Sequence, residues 1–92
     1  MKHTAEWGVR LYMSEENGTT KTHAVLNTGT STLDGHGTAQ CNPADSDVPE
    51  IGDELSASRA LQDLGRRLMA TAYDDMEAVG SAGADSTRRD RR

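Results

Sequence analysis

Phenylalanine is absent from this 92-residue chain, and tryptophan, isoleucine and cysteine each occur once. Leu, Ile and Val together number 12, which places the large aliphatic and Phe content well under the ~20% that marks a comfortable globular core. A single small domain with so little to bury either stays loose or completes its core with a second copy. The patterning described below is too regular for a loose chain, so a homodimer is expected. The lone Cys41 has no internal disulfide partner and reads as a small buried thiol in a reducing compartment. No stretch approaches the ~18 apolar residues of a membrane span, and Met1-Lys2-His3-Thr4 lacks the apolar run of a signal peptide. A cytoplasmic location and no membrane contact are the expectations.

Basic charge is scarce over most of the length. Residues 1–79 hold 6 Lys and Arg against 13 Asp and Glu, a net of −7, whereas residues 80–92 hold four Arg against two Asp, a net of +2. An acidic body repels phosphate backbones, which argues against DNA binding and against a simple nucleic-acid binder.

What is present is periodicity. Ala5, Trp7, Val9, Leu11 and Met13 alternate with Thr4, Glu6, Gly8, Arg10 and Tyr12, the period of two that belongs to a half-buried strand. Asn17-Gly18 follows, a pair suited to a type I′ hairpin because both residues tolerate positive φ. A two-residue turn there sets Val9 opposite Leu26, Leu11 opposite Ala24 and Trp7 opposite Thr28, all on one sheet face. A three-residue loop with a bulge is the alternative, and it shifts this register. A second turn around Gly29-Thr30 brings Leu26 to Leu33 and Ala24 to Gly35. The third strand's inner positions are then Leu33, Gly35, Gly37 and Ala39, with Cys41 at the end. Residues this small admit a helix backbone at close range; a flexible ligand loop is the competing reading of the same glycines.

Asn42 to Glu50 is a turn-rich link closed by Val48-Pro49, and Pro49 suits the opening of a helix. From Asp53 to Val79 the pattern is helical. Ala57, Leu61, Leu64, Leu68, Ala72, Met76 and Val79 fall on one stripe, expected to cover the sheet. Ile51, Leu55, Met69 and Tyr73 fall on a flank about 80–120° away and are the candidate dimer interface. The expected organisation is α+β: a three-stranded antiparallel sheet (strands about 3–13, 20–28 and 32–41) with one long C-terminal helix (about 51–79) on one face. Residues 80–92 have no periodicity and read as a disordered basic tail.

Chemistry-bearing constellations are few. No Ser–His–Asp or Cys–His arrangement has supporting context, and Gly35-His36-Gly37 fits neither a phosphate loop nor a nucleophile elbow, so no enzyme activity and no cofactor are expected. His23 and His36 come opposite each other on the outer sheet face beside Tyr12. They are a weak metal candidate, since a zinc site takes three or four ligands and no third is evident. Arg59, Arg66 and Arg67 line the exposed helix surface around Asp63. Together with Arg88, Arg89, Arg91 and Arg92 of the tail they are the candidate contacts for RNA phosphate; the plainer reading is a solvated, self-neutralising face.

A longer series is more telling. Asn42-Pro43-Ala44-Asp45, Val48-Pro49-Glu50-Ile51-Gly52-Asp53-Glu54-Leu55 and Arg59-Ala60-Leu61-Gln62-Asp63-Leu64 stand together with the Trp7 strand and Leu33-Asp34-Gly35-His36-Gly37. Over about residues 3–79 the chain resembles a small actinobacterial domain-of-unknown-function family with a dsRBD-like fold. The resemblance implies a β-β-β-α protomer that dimerises. It also implies a stress- or dormancy-related role at the ribosome, because one dormancy-associated mycobacterial member is similar in shape to ribosome hibernation-promoting factors. The alternative is a protein–protein interaction module with no nucleic-acid contact.

Overall fold

A computed structural model describes residues 2–40 and 48–83, with backbone alone over 81–83. The order of elements is β1 (Gly8–Glu16), β2 (Thr19–Asn27), β3 (Thr32–Gln40) and α1 (Pro49–Gly83). The three strands form one antiparallel sheet in the order β1-β2-β3. β1 starts at Gly8, later than the alternation from His3 suggests, and continues to Glu16 because the hairpin keeps both strands paired up to the turn. Asn17 (φ 54°) and Gly18 (φ 79°) both lie in the left-handed region, as a type I′ turn requires. The two-residue register follows: Val9 faces Leu26, Leu11 faces Ala24, and Tyr12 faces His23.

The second connection spans Thr28 to Ser31. Gly29 takes a φ of 94°, its N–H donates to Asn27 Oδ1 at 2.8 Å, and Thr28 N–H donates to the Ser31 carbonyl at 3.0 Å. That loop delivers the expected pairing of Leu26 with Leu33, Ala24 with Gly35 and His23 with His36. The glycines of residues 35 and 37 therefore belong to a strand.

Why they are glycines is set by α1. A Cβ on Gly35 falls 2.6 Å from the Ala60 carbonyl oxygen and 2.8 Å from Leu64 Cα, and a Cβ on Gly37 overlaps Ser56 O and Ala60 N. The helix backbone rests on the strand with no side chain between. Its buried line is accordingly Ser56, Ala60 and Leu64, with Gly52 and Leu68 half-buried at the same four-residue spacing. The stripe of large residues expected to face the sheet is rotated off it by about a quarter turn: Leu64 and Leu68 pack, whereas Leu61, Ala72, Met76 and Val79 are exposed. A helix seated on glycine backbone must present its smallest side chains, and ranking faces by bulk misses that.

The resulting core is small. Ala24, Leu26, Ala60 and Leu64 form its centre, with Leu33 and Leu68 against it. Thr22 and Ser56, 1% and 0% exposed, meet inside it through a 2.6 Å hydroxyl–hydroxyl hydrogen bond. The Ser56 hydroxyl lies 3.3 Å from the Asp53 carbonyl, so the buried pair can satisfy a further donor.

Helix and sheet differ in length. Thirty-five residues at ~1.5 Å span roughly 52 Å, against roughly 30 Å for nine-residue strands. The helix thus outruns the sheet, and Tyr73, Met76 and Val79 on the overhang are exposed. Helical structure also continues through Gly83, so residues 80–83 are not the start of a disordered tail. Cys41 and Arg88, Arg89, Arg91 and Arg92 lie outside the described residues.

Candidate functional site

Three surfaces carry the residues singled out above. The first is the exposed helix flank at the β3 edge. Arg59 Nη1 donates to the Thr38 carbonyl at 2.8 Å, and Asp63 Oδ2 accepts from the His36 N–H at 2.9 Å. β3 is an edge strand, and unpaired edge groups invite pairing with another chain. Arg59 and Asp63 therefore act as side-chain covers on that edge. Asp63 also holds Arg67 at 3.3 Å and Arg66 at 3.5 Å, i,i+4 and i,i+3 neighbours along the helix. The His36 N–H, then Arg67 and Arg66, keep the Asp63 carboxyl below its ordinary value. Of the RNA-contact candidates, Arg59 is thus committed to backbone, while Arg66 and Arg67 share one carboxylate and remain largely exposed.

The second surface is the inner face over β1. Every residue of β1 is exposed, although Val9, Leu11 and Met13 point to the same face as the buried Leu26, Ala24 and Thr22. The helix lies over β2 and β3 and barely touches β1. Because Arg59 and Asp63 reach the β3 edge, helix geometry turns Ala57, Leu61 and Leu68 to the opposite flank, toward β1. An apolar trough results, with Val9, Leu11 and Met13 as its floor and Leu61 on its wall; the floor residues are 36–46% exposed. Trp7 stands at one end, where it lines a shallow cleft with Leu33, Leu68 and Ala72. Sequence reasoning picked Ile51, Leu55, Met69 and Tyr73 as interface residues, and all four are exposed. It missed the trough, although the signal was present in β1: strand alternation continues with no matching wide helix face to cover it.

The third surface is the outer sheet face. His23 and His36 stack with ring centroids 4.4 Å apart and planes 5° from parallel, and Tyr12 lies at 6.3 Å from His23. Asp34 Oδ2 sits 3.0 Å from His23 Nε2. This hydrogen bond is the main cause that holds the Asp34 carboxyl below its ordinary value. Asp34, two residues before His36 on β3, supplies the third potential ligand missing from the pair read in sequence; one donor atom from each residue lies within 4.8 Å of the others. The alternation Asp34-x-His36 already placed both on one face.

No helix among the described residues is long and apolar enough to cross a membrane. A solved structure, the crystal structure of Rv2632c, superposes with a TM-score of 0.70 at 35% identity, covering 86% of this chain and 92% of that one. The uncharacterized protein Mb1767 of Mycobacterium bovis is 48% identical over 73 residues, 79% of this chain and 78% of the relative. The uncharacterized protein Rv2632c of Mycobacterium tuberculosis is 37% identical over 70 residues, 76% of this chain and 75% of the relative. The family described as Rv2632c-like matches residues 5–85, and with these relatives and this fold the chain belongs to that family.

Proposed function

We propose that the chain is a non-enzymatic binding module that works as a homodimer. One observation carries this reading: the sheet is three strands wide and the helix covers two. Val9, Leu11, Met13 and Leu61 are left as half of a core. β1 also presents a nine-residue edge without proline, while the β3 edge is closed by Arg59 and Asp63. Antiparallel pairing of β1 with β1 of a second copy about a twofold axis joins two sheets and brings the two troughs together. Ile51, Leu55, Met69 and Tyr73 are exposed on the helix face turned away from the sheet and stand apart from this contact.

As to what the dimer binds, the acidic body and the internal pairing of Arg59, Arg66 and Arg67 favour a protein partner over RNA phosphate. A role at the ribosome in stress or dormancy, which the family resemblance implies, draws its support from the exposed head groups of Arg66 and Arg67, reinforced by the tail arginines. Co-sedimentation with ribosomes at low and moderate salt, paired with pull-down from nuclease-treated lysate, separates the two. A partner retained after RNA is destroyed supports the protein-binding module. Pelleting with ribosomes that Arg66→Glu with Arg67→Glu abolishes supports the ribosome and contradicts it.

A further inference from the structure

We propose that His23, His36 and Asp34 form a binding site for a divalent first-row transition ion, zinc or a metal of similar preference, on the outer face of the sheet. The donor set is two imidazoles and one carboxylate, the combination that such ions take with solvent filling the remaining positions. Position is fixed by backbone: His23 and His36 are directly paired across β2 and β3, and Asp34 follows from strand alternation. All three are therefore held on rigid ladder positions within a protein whose packed core lies on the other face.

The distances are close to those a bound ion needs. Ligand atoms ~2.0–2.1 Å from a tetrahedral zinc lie roughly 3.3 Å from one another. Asp34 Oδ2 and His23 Nε2 are 3.0 Å apart, and the full set lies within 4.8 Å. Closing the remainder takes rotation of the half-buried His23 and Asp34 and the exposed His36 side chains, with no movement of the strands. Asp34 is hydrogen-bonded to His23 alone, and a shared cation would take both stacked rings together with the carboxylate. This site is independent of the dimer contact, because it faces away from the trough.

Zinc titration of the whole chain tests it, by calorimetry and by long-range proton–nitrogen spectra of the imidazoles. The expected result is saturable binding of one zinc per chain, with the ring nitrogens of His23 and His36 shifting together while those of His3 stay in place. His23→Ala and His36→Ala should each weaken binding by about tenfold or more, and Asp34→Asn by a similar factor. These residues lie on the sheet face away from the packed core, so circular dichroism of the variants should keep a cooperative folded-state transition, which separates lost ligation from lost fold. Absence of saturation up to about 1 mM zinc, shifts confined to His3, or unchanged affinity in the double variant His23→Ala with His36→Ala each overturn the proposal.

Discussion

The two halves of the inner sheet face are built on different rules. Over β2 and β3 the helix backbone lies on Gly35 and Gly37, four leucines flank that contact, and the two buried hydroxyls of Thr22 and Ser56 bond each other. Over β1 the inner-face residues are large and apolar, and no described residue covers them. The close side achieves a tight backbone-on-backbone contact with few heavy side chains. The open side has the side chains that a core would use but lacks the second layer. Scarcity of large apolar residues does not spread evenly: the protomer closes the interface that a glycine-lined strand can make and leaves exposed the one that needs a second layer.

The largest contrast between the two sides is expected at glycines. Gly37→Ala drives a methyl into Ser56 O and Ala60 N and should cost roughly 3 kcal/mol or more, visible as a collapse of the thermal transition. Gly8→Ala, on β1 with nothing within 4 Å, should change stability by less than about 0.5 kcal/mol. Equal losses at the two positions would contradict the distinction between a closed and an open side.

The buried hydroxyl pair comes next. Ser56→Ala strands the Thr22 hydroxyl in an apolar setting and should cost about 1–3 kcal/mol in chemical denaturation. Adding Thr22→Val removes the stranded group, and the double variant should recover part of the loss. Simple additivity of the two would show that the pair is not coupled.

A gain is expected at Gly65, a helical position with open space where its side chain would be. Gly65→Ala should stabilise the protein by about 0.5–1 kcal/mol. Its failure to do so would mean that the exposed helix face is covered in solution.

The sheet was legible in sequence, the division of its inner face was not. The Asn17-Gly18 turn and the alternation of β1 agree on the register observed, rather than on the bulged alternative, and the second turn around Gly29-Thr30 gives the β2–β3 ladder, including His23 opposite His36. The glycines announced a close helix contact. The helix face was not legible by bulk, because Ser56 and Ala60 look like background while Leu61, Met76 and Val79 look like a core stripe. Reading Gly52, Ser56, Ala60 and Leu64 at four-residue spacing against Gly35 and Gly37 would have found it. Nor did charge pattern alone reveal that Arg59 and Asp63 close the β3 edge, since that depends on how far the helix leans toward that strand.

The smallest effect concerns that edge. Asp63 has a folded pKa depressed below its ordinary 3.8, so its contribution is present above that value and is lost as pH falls through the folded one. The His36 amide should therefore shift and lose exchange protection below about pH 3.8. In Asp63→Asn that titration should vanish, and its persistence would assign the edge to another group.

Dimerisation turns on what covers Val9, Leu11 and Met13. Sedimentation equilibrium of the parent chain and of Leu11→Asp at micromolar concentration addresses that directly. The prediction is a dimer for the parent, with a melting temperature that rises with concentration, and a folded monomer for the variant. A parent that sediments as a monomer and melts at one temperature regardless of dilution would contradict it.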